Sequence, residues 1–251
     1  MIIIQNNQLN HIPCLSVVNN KKINDPLPTL IYYHGYKSMK EQNLPIAYFL
    51  AEKGFRVILP DSKYHGIRSE EISETKLDLM FWEIVIENIK EAEKIYTYLQ
   101  EHQLLLEDRI GIAGTSMGGI TTAGALAKYP WINVAAILMG TPKLIEYAQK
   151  LIGEKQEDLS ITADVINQTL DRLHMYDLSK HMNKLNDRPL LLWHGKNDSV
   201  IPFDYSYSFY VQAKKHYNNS SYIRFIQEEN RDHKVSKYAI LQTVNWLEQY
   251  L

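Results

Sequence analysis

Short apolar runs alternate with longer stretches of helical periodicity along most of the chain. An N-terminal stretch at Ile2–Val18 reads as antiparallel strands, and further candidate strands fall at Thr29–Tyr33, Phe55–Pro60, Arg109–Gly114, Val134–Met139, Leu190–His194 and Tyr222–Gln227. Runs such as Ala135-Ala136-Ile137-Leu138-Met139 are apolar at consecutive positions, which fits strands covered on both faces. Helices are expected between them at Glu41–Lys53, Glu71–Glu101, Met117–Lys128, Phe203–His216 and Lys237–Tyr250. In the second of these, Leu77, Phe81, Ile84, Val85, Asn88 and Ala92 form one stripe, while the Glu/Lys run from Glu87 to Lys94 forms a solvated face. The pattern predicts an α/β protein with a mostly parallel central sheet flanked by helices.

One region breaks the alternation. From Pro142 to about Asp187 there is amphipathic helical pattern, as in Leu144, Ile145, Ala148, Leu151 and Ile152, and no strand. It reads as an insertion between two strands. No internal repeat or linker sets it apart, so residues 1–251 are expected to form one domain.

Composition narrows the partners. The 251 residues are 45% hydrophobic and 22% charged, enough to bury a substantial core. A formal net charge of -2 gives no electrostatic footing for nucleic acid or an acidic membrane, and the 17 tyrosines have no basic groove around them. No apolar run approaches bilayer length. The opening Met1-Ile-Ile-Ile-Gln-Asn-Asn lacks the basic leader and cleavage site of a signal peptide, and Cys14 is the only cysteine. A cytoplasmic protein is therefore expected.

The central chemical signal is Arg109-Ile-Gly-Ile-Ala-Gly114-Thr115-Ser116-Met117-Gly118-Gly119, which places a serine where an apolar strand meets a helix. Gly-x-Ser-x-Gly in that setting forms a nucleophile elbow, a turn too tight for side chains two residues either side of the serine. A serine hydroxyl needs a base, and the base needs a group that fixes its tautomer. Asp198 follows the strand Leu190–His194, and His233 precedes the last helix, in the order Ser, Asp, His. Asp204 is better explained as a capping residue at a helix start, and Asp232 is expected to point away. The strand Thr29–Tyr33 ends in His34-Gly35-Tyr36, so the backbone N–H groups of Tyr36 and Met117 are candidate oxyanion donors. His34 and His194 are expected to be structural. His11 with Cys14, or His174 with His181, lacks the ligand number and spacing of a metal site, so no metal and no cofactor are expected.

These motifs resemble the α/β-hydrolase superfamily over nearly the whole chain. Tyr33-His-Gly-Tyr36, Ala51–Asp61, Tyr64-His-Gly66, Gly114–Gly119 and His194–Pro202 bring it closer to bacterial esterases of the dienelactone-hydrolase and prolyl-oligopeptidase-like group. The resemblance implies an α/β-hydrolase fold with a small helical cap at about 142–187, inserted after the sixth strand. It implies a triad of Ser116, Asp198 and His233, oxyanion donors at Tyr36 and Met117, and structural roles for Asp61 and His65. Two departures bear on substrate: the length leaves no room for the propeller of prolyl-oligopeptidase relatives, and position 116 is serine where dienelactone hydrolases usually carry cysteine. A small-molecule carboxylic ester, with a short-to-medium acyl chain, is the expected substrate. A peptidase or amidase, and a non-catalytic ligand-binding protein of the same fold, are the alternatives.

Overall fold

A computed structural model describes residues 1–159 and 162–251. Eight strands form one sheet: β1 (Ile2–Leu9), β2 (Ile12–Asn19), β3 (Leu27–Tyr33), β4 (Arg56–Pro60), β5 (Leu105–Thr115), β6 (Val134–Leu138), β7 (Leu190–Gly195) and β8 (Ile223–Glu228). Their order is β1-β2-β4-β3-β5-β6-β7-β8. The β1–β2 and β2–β4 pairs are antiparallel, and every other pair is parallel. This is the α/β-hydrolase fold.

The consecutive apolar positions have the expected cause. Ile31, Tyr33, Ile112, Ala135, Ile137, Leu190 and Leu192 face one core, while Leu30, Tyr32, Ala113, Val134, Ala136, Leu138, Leu191 and Trp193 face the other. Side chains alternate across a strand, so a sheet covered on both sides needs apolar residues at both parities. Helices α3 (Phe81–Glu101) and α4 (Met117–Lys128) cover the first face. Helices α1 (Leu44–Glu52) and α8 (Lys237–Tyr250) cover the second.

Three expected elements are modified, and the helix read at Glu41–Lys53 is a 3-10 turn at Lys40–Asn43 running into α1. The single helix read at Glu71–Glu101 is two, α2 (Glu74–Leu79) and α3, with Met80 serving as the C-cap of one and the N-cap of the other. The helix read at Phe203–His216 is α7 (Phe203–Ala213) followed by a 3-10 turn at Lys214–His216. Between β6 and β7 lie α5 (Leu144–Leu159) and α6 (Ala163–His174), then short 3-10 turns. Residues 160 and 161, within the expected insertion, lie outside the described residues.

Candidate active site

The parallel strands β3, β4, β5, β7 and β8 release their connecting loops at one edge of the sheet, where the candidate residues collect. Ser116 follows β5 at φ 56, ψ −115, and α4 begins at the next residue. Serine rarely adopts a positive φ, so surrounding structure must hold it there. The Ser116 N–H donates to Leu138 O at 2.9 Å, and its carbonyl accepts from the Ile120 N–H at 3.0 Å. The steric reason for the flanking glycines is direct: a Cβ on Gly114 would lie 2.4 Å from the Gly118 carbonyl carbon, and one on Gly118 would lie 2.1 Å from Tyr33 O.

Ser116, His233 and Asp198 are brought together from positions 117 and 35 residues apart. His233 Nδ1 lies 2.7 Å from Asp198 Oδ2, and His233 Nε2 lies 2.8 Å from Ser116 Oγ. The carboxylate can only accept, so Nδ1 carries the hydrogen and Nε2 is left to accept from the serine hydroxyl. This tautomer suits a base aimed at Ser116. The rival acids stand elsewhere: Asp204 is exposed in the first turn of α7, and exposed Asp232 uses its carbonyl to accept from Lys234 N–H at 2.8 Å.

Asp198 has a second histidine beside it, His194, whose place at a strand end predicts a structural role. His194, fully buried, has its Nε2 3.1 Å from Asp198 Oδ2 and 2.9 Å from Ile201 O. Both neighbours can only accept, so this nitrogen carries a hydrogen. Asp198 Oδ1 accepts from the N–H groups of Val200 and Ile201, each at 2.9 Å. Burial alone would raise the Asp198 carboxyl, but the hydrogen bonds from His194, His233 and Ile201 hold it well below the usual carboxylate range. The one sequence signal for His194 was its place at the strand end, four residues before Asp198.

The loop after β3 runs beside the serine: a Cβ on Gly35 would lie 3.5 Å from Ser116 Cβ. Tyr36 is the next residue, and its hydroxyl donates to Asp78 Oδ1 at 2.7 Å. Burial, then the Asp78 carboxylate, pushes the Tyr36 phenol well above its ordinary range, so it stays a donor. Met117 is fully buried at the first position of α4, where the N–H groups of a helix start have no intrahelical partner.

A cavity of about 450 Å³ opens on Ser116. One wall is the α2–α3 corner from Asp78 to Glu83, the facing wall is α5 and α6 through Tyr147, Leu151, Ile166 and Arg172, and Val200 and Ile201 close a side. Arg172 on α6 reaches Glu83 on α3 at 2.7 Å. Of the apolar positions named above between β6 and β7, Leu151 and Ile152 line the cavity, with Tyr147 of the same helix. Leu144, Leu173 and Tyr176 are buried in the core instead, and Met175 is exposed. No local pattern marks the corner's contribution. Among the described residues, no three His, Cys, Asp or Glu side chains are grouped to hold a metal ion, and no helix is long and apolar enough to cross a membrane.

Residues 45–251 match the prolyl oligopeptidase family. The curated relative named "Putative esterase YitV", from Bacillus subtilis strain 168, is 42% identical over 255 residues, with 100% of both chains covered. "Esterase YjfP" from Escherichia coli strain K12 is 30% identical over 254 residues, again covering 100% of both. Among solved structures, TT1662 from Thermus thermophilus superposes with a TM-score of 0.80 at 18% identity, covering 99% of this chain and 98% of its own.

Proposed function

The chain belongs to the prolyl oligopeptidase family and is a serine hydrolase, and from that premise we propose that it cleaves small carboxylic esters through an acyl-enzyme formed on Ser116. The observation that carries this reading is the pair of contacts at His233, 2.8 Å to Ser116 Oγ and 2.7 Å to Asp198 Oδ2, beside a mostly apolar cavity. His233 Nε2 takes the hydroxyl proton as Ser116 Oγ attacks the ester carbonyl. The backbone N–H groups of Tyr36 and Met117 receive the resulting oxyanion, and the alcohol leaves with the proton from His233. A water molecule deprotonated by His233 then attacks the acyl carbon. The acid departs and the Ser116 hydroxyl is restored.

The segment 142–187 acts in this reading as a cap within one domain of residues 1–251, and its Tyr147, Leu151 and Ile166 favour a short-to-medium acyl chain. The single, buried Cys14 is compatible with a cytoplasmic setting. The family match favours a second reading, a peptidase or amidase using the same residues.

A fluorophosphonate probe should label Ser116 alone, and Ser116→Ala should lower p-nitrophenyl ester turnover by about 10⁴-fold or more with the fold intact. Labelling at another serine, or none, would refute the mechanism. Faster turnover of aminoacyl anilides than of acyl esters would transfer the assignment to the peptidase reading.

A further inference from the structure

Two histidines that this chemistry leaves unused face each other across the loops leaving β3 and β4. His34, fully buried, opens the loop that carries Tyr36, and His65, 3% exposed, lies in the loop after β4. Their ring centroids are 5.3 Å apart. His34 Nε2 accepts the Ser62 N–H at 3.0 Å, and His65 Nε2 accepts the Lys37 N–H at 3.0 Å. Each loop therefore lends one ring to the other. On the opposite side of each ring stands a carbonyl oxygen, Gly35 O at 2.8 Å from His34 Nδ1 and Lys63 O at 2.8 Å from His65 Nδ1. A carbonyl offers only lone pairs and a backbone N–H only a hydrogen, so both rings are neutral and carry their hydrogen on Nδ1.

We propose that His34 and His65 form a reciprocal clasp that fixes the Tyr36 N–H in the oxyanion hole, with His65 as a positioning residue for the reaction. The inference rests on the serine-hydrolase reading, in which Tyr36 N–H meets the oxyanion. Tyr36 lies between Gly35, whose carbonyl is held by His34, and Lys37, whose N–H is held by His65. Lys37 has φ 56, a left-handed conformation that a lysine does not favour by itself. The tie from His65 arrives at that residue. The Tyr36 ring lies edge-on to the His65 ring, with centroids 5.5 Å apart, so side chain and backbone of the turn are both tied to His65.

The charges around the clasp leave it closed near neutral pH. Asp61 Oδ1 lies 4.0 Å from His34 Nε2, but that carboxylate also receives the Lys40 ammonium, the Lys40 N–H and the Ile67 N–H. Glu41 binds the same Lys40 ammonium, and Arg68 is paired with Glu91. Burial is the largest influence on both rings. It takes His34 down to about 4 and holds His65 below its ordinary value, against the opposing pull of Asp61.

Two substitutions at position 65 separate the halves of its role. In His65→Gln the terminal amide can reach the place of Nε2 and accept from Lys37 N–H. In His65→Asn the amide stops near the place of Nδ1, keeping Lys63 O and losing Lys37. An oxyanion donor acts mainly in the transition state, so a displaced one lowers kcat rather than raising KM. We expect His65→Asn to lose about 10- to 100-fold in kcat with KM within about threefold, and to lose affinity for a boronic acid transition-state analogue by a similar factor. His65→Gln should recover kcat to within about threefold of the parent. The Lys37 amide should exchange its hydrogen about 10-fold faster or more in His65→Asn than in His65→Gln. Unchanged Lys37 exchange, equal kcat in the two variants, or a loss confined to KM would overturn the clasp. Amide exchange reads the clasp without turnover, whereas failure of the esterase reading would show in the parent enzyme and at Ser116.

Discussion

Asp198 is surrounded by more donors than the orientation of one histidine requires. Two backbone N–H groups saturate Oδ1, and two imidazoles share Oδ2. A carboxylate held from four directions is fixed in place, so in the proposed mechanism His194 would help to aim His233 through Asp198. The expectation for residue 194 follows from which bond survives. His194→Gln can keep an N–H near Ile201 O and Asp198, and should hold kcat within about threefold. His194→Leu fills the space without a donor and should lose roughly 10-fold in kcat and about 1–3 kcal/mol of stability, the cost of unpaired buried polar groups. Steady-state kinetics beside urea unfolding reads both. Equal kcat in the two variants would reduce His194 to packing.

At the scale of elements, the α2–α3 corner builds the cavity wall. Asp78, Leu79, Met80, Phe81, Trp82 and Glu83 all line the cavity, six consecutive positions that a single straight helix cannot turn to one side. The break at Met80 makes this possible, and Phe81 meets Tyr36 and Trp82 edge-on at 5.5 and 5.1 Å. Opposite the corner, Leu151 on α5 is placed to limit what enters. Leu151→Trp should lower kcat/KM for an octanoyl ester by about 10-fold or more while an acetyl ester changes less than about threefold, since each apolar methylene excluded is worth roughly 1–3 kcal/mol. Parallel changes for both esters would remove the cavity from the role of acyl site. The corner also marks where sequence reading stops. Its stripe runs unbroken through Leu77, Phe81, Ile84 and Val85, and no proline or glycine marks the break, which lies where Tyr36 meets Asp78 and Phe81. Ser116 was legible because the elbow imposes glycines at fixed local spacing. Asp198 and His233 were legible through strand order. His194 and His65 looked structural because their partners, Asp198 and Lys37, are set by loop conformation that no local pattern records.

For the whole molecule, the parallel sheet gathers the loops of β3, β4, β5, β7 and β8 at one edge, and with them the buried ionisable groups. That concentration ties stability to pH. His34 has its folded value lowered to about 4 from 6.5, chiefly by burial, so the folded state binds fewer protons than the unfolded chain between those values. Its contribution is fully present above the unfolded value and is lost as pH falls from about 6.5 toward 4, amounting to roughly 3 kcal/mol. His65 is lowered in the same direction and adds to the loss in that window. Asp198, also lowered, contributes stability above its unfolded value of 3.8 and loses it only at lower pH, so the two windows separate. Urea unfolding between pH 7 and 4.5 should show stability falling steadily below about pH 6.5, by roughly 1 kcal/mol per pH unit or more, with an unchanged m-value. His65→Gln, which has no titratable ring, should fall less steeply than the parent. Stability that stays level down to pH 5 would mean that the buried rings can be protonated without opening the clasp, and the sheet edge would then be less rigid than its hydrogen bonds require.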